Sequence, residues 1–204
     1  MKISFSPPDI TEAEIKEVAA ALRSGWITTG PRTKKLEEEL ARYLEAPKCV
    51  CLNSATAALE LNLHILGIGP GDEVITSAYT YTASASPIAH VGAKIVLVDT
   101  APESYEMDYE KLAAAITDKT KAIIPVDIGG IPCDYKKIFE IVKVKANLFK
   151  PKNKVQAGIG RIAIVADCAH ALGATWQGHK CGSIADFSSF SFHEHMFFTT
   201  PQVA

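Results

Sequence analysis

The sequence predicts an α/β fold, a mostly parallel sheet with helices on both faces, and three observations carry that expectation. Its 204 residues, 48% of them hydrophobic, suit one full domain plus a piece or one large α/β domain. Short runs rich in Val, Ile, Leu and Ala recur along the chain, separated by stretches of helical periodicity. These runs are nearly continuous rather than alternating with polar residues, as in strands covered on both faces. Strand, helix, strand repetition of this kind implies parallel strands joined by right-handed crossovers.

Taken in order, Thr11-Glu12-Ala13-Glu14 has the Thr-x-x-Glu capping-box pattern, followed by Ile15, Val18, Ala19 and Leu22 at helical spacing and by Gly25 as a stop. A loop from Trp26 to Pro31 precedes a second helical stretch from Lys34 to Leu44, with Leu36, Leu40, Tyr43 and Leu44 on one side. Strands are expected at 49–52, 73–76, 93–98, 122–126 and 161–166, and helices near 54–66, 80–91, 108–116 and 134–149. The lysine-rich stretch 143–157, which includes Pro151, reads as a solvated helix end and surface loop. No internal repeat or low-complexity tract interrupts the pattern. The expected organisation is an N-terminal helix and loop over 1–30 and one continuous domain over 31–204.

Charge narrows the classes of partner. Lys+Arg 21 against Asp+Glu 23 leaves a net charge of −2, without the basic excess of a nucleic-acid or anionic-membrane binder. No run approaches the ~20 apolar residues of a membrane helix, and residues 1–8 lack the apolar stretch of a signal peptide, so the chain reads as cytoplasmic. The cysteines Cys49, Cys51, Cys133, Cys168 and Cys181 are scattered, without a CxxC pair, and read as ordinary packed thiols.

In open α/β sheets ligands bind beyond the carboxyl ends of the strands, so the polar residues that follow each apolar run are the candidates. Asn53-Ser54-Ala55-Thr56 combines hydroxyls with a helix start, which suits either a phosphate or plain N-capping. Tyr79 and Tyr81 follow the 73–76 strand, and Tyr81 offers a ring face to a planar heterocycle or to ordinary packing. Asp167 ends the 161–166 run, where a buried carboxylate demands a cationic or protonated partner unless it caps the next turn. His170 follows on the same side or stands as a hydrogen-bonded bystander. Residues 186–193 alternate polar and aromatic side chains like a strand and run into Glu194 and His195. The zinc pattern His-Glu-x-x-His fails here, because its second histidine would fall on Phe197, so no metal is expected.

Together these segments resemble the large-domain motifs of the DegT/DnrJ/EryC1/StrS aminotransferases, pyridoxal-phosphate enzymes that aminate keto-sugar nucleotides. The resemblance runs through Gly25 to Gly30, Asn53 to Leu59, Gly69 to Ile75, Tyr79 to Ser84, Val126 to Asp134, Asp167 to Ala171 and Ser189 to His193. It implies fold type I and a homodimer whose subunits share their active sites, with a keto-sugar nucleotide and an amino donor such as glutamate as substrates. It further implies a cofactor phosphate on Ser54, Ala55, Thr56 and Ser191, and a pyridine ring stacked on Tyr81. Asp167 would pair with the ring nitrogen and His170 would approach the phenolic oxygen. The carboxylate keeps the ring protonated, so that the ring accepts the electrons released when a substrate C–H bond breaks.

One departure sets the functional expectation. Where the family carries the lysine that holds the cofactor covalently and shuttles the proton, this sequence has Met196, and a thioether does neither. The Gly-rich continuation is replaced by Pro201 to Ala204, and the family's C-terminal small domain is absent. The reading is therefore a shortened aminotransferase large domain, inactive as written. Two alternatives stand beside it: a sugar dehydratase-like enzyme using His195, and a non-catalytic cofactor-binding or assembly module.

Overall fold

A computed structural model describes residues 10–193. Helix α1 (Glu12–Arg23) opens on the expected capping box: Thr11 Oγ1 accepts from Ala13 N–H, and Glu14 accepts from Thr11 N–H. Its apolar stripe of Ile15, Val18 and Leu22 is exposed among the described residues. Helix α2 (Pro31–Tyr43) begins three residues before the expected Lys34, because Pro31 has the φ of a first helical turn and loses nothing by lacking an N–H there. Gly30 precedes it at a close approach. A Cβ there would lie 2.0 Å from Trp26 Nε1, which donates to Thr29 O.

The remaining elements alternate as the apolar runs foretell: α3 (Ala55–Ile65), β1 (Glu73–Ser77), α4 (Ser86–His90), β2 (Lys94–Val98), α5 (Tyr109–Ala115), β3 (Thr120–Ile124) and α6 (Tyr135–Val144). Then come α7 (Lys154–Ile159), β4 (Ala163–Asp167), a small antiparallel hairpin of β5 (Thr175–Trp176) and β6 (His179–Lys180), and β7 (Phe187–Ser189). The main sheet has the order β2-β1-β3-β4-β7 and every pairing in it is parallel.

Strand side chains alternate between two cores. Val74, Ala122, Ile124, Ala163 and Val165 pack with Leu59, Leu63 and Ile88 of α3 and α4. Ile75, Ile123, Ile164 and Ala166 pack with Leu112, Ile138 and Val142 of α5 and α6 on the other face. This three-layer arrangement is why β1, β3 and β4 read as unbroken apolar runs, whereas β2, expected to be covered on both faces, lies at the sheet's edge with Ile95 and Leu97 exposed. Arg161 closes the β4/β7 edge with a bidentate pair to Asp186, at 2.7 and 2.9 Å, while Asp186 also accepts from Ile164 N–H.

The structure corrects the expected elements at four places. The apolar run 49–52 is not a strand; its recorded tie is Cys51 N–H to the Glu37 carboxylate, a side-chain bond that supplies no ladder. The helix expected over 80–91 divides into a 3-10 turn at Thr82–Ser84 and α4, which restarts with Pro87 in its first turn. Within 143–157, expected as a solvated helix end and surface loop, α6 does end at Val144, but a further helix follows: Asn153 caps α7 and Gly160 ends it in the left-handed region at φ +71. The strand expected within 186–193 is confined to β7. The cysteines are unpaired, with Cys133, Cys168 and Cys181 buried.

Candidate functional site

The carboxyl ends of β1, β3, β4 and β7 and the N-terminus of α3 border one cavity of about 920 Å³. Ser54, Ala55, Thr56, Tyr81, Asp167, His170 and Ser191, each anticipated from sequence, all line it. Leu36, Leu40 and residues 49–52 add an apolar wall. His195 and Met196 lie outside the described residues.

At the start of α3, Ser54 Oγ accepts from Ala57 N–H at 3.1 Å, so the capping reading is observed. The cap satisfies one donor; the helix start still presents backbone N–H groups and the positive end of its dipole. Ala55 adds no bulk there, and the hydroxyl of Thr56 lies beside it on the cavity wall. Across the cavity Ser191 Oγ accepts from His193 N–H.

Asp167, only 6% exposed, ends β4. Its Oδ2 accepts from Ser84 Oγ at 2.6 Å and its Oδ1 from Ala169 N–H at 3.2 Å, so the carboxylate both caps the following turn and lines the cavity. Among the described residues it has no lysine or arginine partner. Burial pushes its carboxyl above the ordinary value, opposed by the Ser84 hydroxyl, the Ala169 N–H and the nearby His170. Thr80 Oγ1 stands 2.6 Å from Ser84 Oγ, and because Ser84 spends its proton on Asp167, Thr80 is the donor in that pair.

His170 accepts a hydrogen bond at Nδ1 from Gly129 N–H at 3.1 Å, which leaves the proton of the neutral ring on Nε2. Tyr81 is 73% exposed and lines the cavity, whereas Tyr79 stacks on Tyr105 with ring centroids 5.4 Å apart. Only one of the two anticipated tyrosines therefore serves this site. Ser84, Thr80 and Gly129 lie within the motif segments but carry no assigned role in the sequence reading; the i, i+4 spacing of the two hydroxyls is the signal that points to the relay.

This donor set suits a flat, anionic, protonatable ligand: N–H groups and hydroxyls for a phosphate, a ring face, and a buried carboxylate lacking a cation. The sequence profile of the DegT/DnrJ/EryC1/StrS aminotransferase family matches residues 8–202. The chain belongs to this family. It is 39% identical over 191 residues to the spore coat polysaccharide biosynthesis protein SpsC of Bacillus subtilis, a match covering 94% of this chain and 45% of SpsC. It is 40% identical over 186 residues to the UDP-4-amino-4-deoxy-L-arabinose–oxoglutarate aminotransferase of Shewanella sediminis, covering 91% of this chain and 44% of that enzyme. Among solved structures, the PLP form of Spr1654 from Streptococcus pneumoniae, described as a sugar aminotransferase, superposes with a TM-score of 0.94 at 60% identity. That match covers 95% of this chain and 50% of Spr1654, which has also been solved in its PMP form. The chain thus spans about half the length of the relatives it matches.

Proposed function

We propose that this chain forms the cofactor-holding domain of a pyridoxal-phosphate-dependent aminotransferase acting on keto-sugar nucleotides, and that with Met196 at the lysine position it holds the cofactor without a covalent link. The observation that carries the reading is Asp167: a buried carboxylate with no cationic partner among the described residues, on the wall of a cavity that also presents a helix N-terminus and an exposed ring face. Such a carboxylate costs stability unless a protonated group meets it.

Pyridoxal phosphate, when bound, supplies a protonated pyridine ring that accepts electrons from the substrate. Asp167 would hold the proton on the ring nitrogen, and the Ser84 hydroxyl favours the charged form of Asp167 against its burial. Tyr81 would cover one ring face, Ser54, Ala55, Thr56 and Ser191 would take the phosphate, and the Nε2–H of His170 would serve the phenolic oxygen. Met196 has no basic nitrogen and moves no proton, so transamination is not expected of this polypeptide. The same reading has the protein act as a homodimer in the cytoplasm, with a keto-sugar nucleotide as acceptor and glutamate as donor.

The test is a titration of the purified protein with pyridoxal phosphate, followed by borohydride reduction and mass spectrometry. Saturable binding that is lost in Asp167→Ala, with no phosphopyridoxyl mass retained after reduction, supports the reading. Absence of saturable binding overturns the cofactor assignment, and a retained adduct on one defined lysine overturns the non-covalent assignment.

A further inference from the structure

On the cavity wall, Asp127 anchors a buried polar cluster that the proposed function leaves unused. Asp127, 1% exposed, follows β3 and carries a carboxylate with donors on both oxygens. Oδ1 accepts from Cys133 N–H at 2.9 Å and from Tyr135 Oη at 3.0 Å; Oδ2 accepts from Tyr135 Oη at 2.9 Å and from Cys168 Sγ at 3.3 Å. These bonds tie the start of the loop 127–133 to its end and to the first turn of α6. The Cys168 contact and the Asp127 N–H, which donates to Asp167 O at 3.0 Å, tie it also to the segment bearing Asp167 and His170.

Between the clamped ends the backbone turns through Gly129 and Gly130, both left-handed at φ +61 and +78. From this turn the Gly129 N–H reaches His170 Nδ1. Among the described residues the groups facing the carboxylate are a phenol and thiols, those of Cys133, Cys168 and Cys181, with no cation, and burial pushes its carboxyl up to about 6. A neutral side chain of the same shape would cost less at neutral pH. The fold keeps the charged acceptor at the one position that closes the loop.

We propose that Asp127 is a positioning residue for His170: by closing the loop 127–133 it holds the Gly129 N–H on Nδ1 and so keeps the His170 proton on Nε2, the donor the cavity uses. The use made of that donor rests on the proposed function, but the tautomer is a property of the protein alone, so the two fail separately. A single neutral backbone hydrogen bond contributes about 1 kcal/mol, or roughly a fivefold bias between tautomers.

The experiment is long-range 1H–15N NMR of the His170 ring and amide exchange of Gly129, on the 204-residue protein without cofactor. Wild type is expected to show predominantly Nε2–H and a protected Gly129 amide. In Asp127→Val the tautomer ratio falls about fivefold and Gly129 exchange accelerates, whereas Asp127→Asn, which retains the acceptor for Cys133 N–H, restores both toward wild type. Should Asp127→Val fail to fold, Tyr135→Phe, which removes the phenol donor but keeps the ring, is expected to move both readouts in the same direction. Folded Asp127→Val or Tyr135→Phe with an unchanged tautomer ratio and unchanged Gly129 exchange overturns the proposal. Absence of pyridoxal phosphate binding by wild type would overturn the cofactor assignment and leave these readouts standing.

Discussion

Ser84→Ala tests how the site keeps a carboxylate ionised where burial opposes it. The hydroxyl lies 2.6 Å from Asp167 Oδ2, and Ser84 itself is 1% exposed, so water does not replace the lost donor readily. A hydrogen bond to a charged group in such surroundings contributes about 1.5–3 kcal/mol, and losing it raises the Asp167 carboxyl further. The folded-state value is already raised, so ionisation of Asp167 costs stability as pH rises, and Ser84 reduces that cost. Removing Ser84 is therefore expected to destabilise fully above the titration of both proteins. The difference should shrink as pH falls through the wild-type folded value, where both carboxyls are protonated. Urea unfolding of wild type and Ser84→Ala at a series of pH values measures this directly. Thr80→Ala supplies the internal scale: its hydroxyl touches only Ser84 in the relay and is half-buried, so a loss below about 1 kcal/mol is expected. A loss of stability uniform across pH would show that Ser84 only packs, and the argument for a charge-holding relay would be refuted.

Other outcomes follow from the same structure. Because the Asp127 carboxyl is pushed up to about 6, its ionisation opposes folding increasingly between about pH 4 and pH 6. The stability of Asp127→Asn relative to wild type should thus rise by about 2–3 kcal/mol between pH 4 and pH 7, read from urea midpoints at the two pH values. Ser188 Oγ is buried without a hydrogen-bond partner among the described residues, so Ser188→Ala should gain about 1 kcal/mol and raise Tm by a few degrees in calorimetry; a loss would reveal a partner for that hydroxyl. Leu63 is fully buried between α3 and the sheet, and Leu63→Ala should cost about 2–5 kcal/mol in chemical denaturation.

What was legible in the sequence, and what was not, divides along the range of the interactions involved. The capping box of Thr11 and Glu14 closes within one turn, so its residues state it outright. The strands β1, β3 and β4 declare themselves because both faces are buried, which leaves no polar alternation to confuse the reading. Residues 49–52 are apolar too but form no ladder, and Val50 and Leu52 are exposed, because a strand is defined by the backbone that pairs with it and a short apolar run guarantees neither pairing nor burial. Helix α7 was hidden by brevity: its cap at Asn153 and stop at Gly160 were present, but the six residues between are too few to show a period.

The site obeys the same division. Ser54 and Asp167 stand where the chain leaves a strand or enters a helix, and topology alone makes such positions functional in a parallel sheet. Ser84 and Gly129 act through partners 83 and 41 residues away, and nothing local marks either as the group that sets the state of a carboxylate or an imidazole. Residue types at strand ends therefore name the chemistry a site can perform, while the protonation states that make the chemistry work are set by contacts that only the folded chain brings together. For Asp167 the Ser84 hydroxyl at 2.6 Å is the foremost of three contacts that favour the charged form, beside the Ala169 N–H and His170, and for His170 one backbone N–H at 3.1 Å sets the tautomer, so single substitutions at these contacts shift the states on which the chemistry rests.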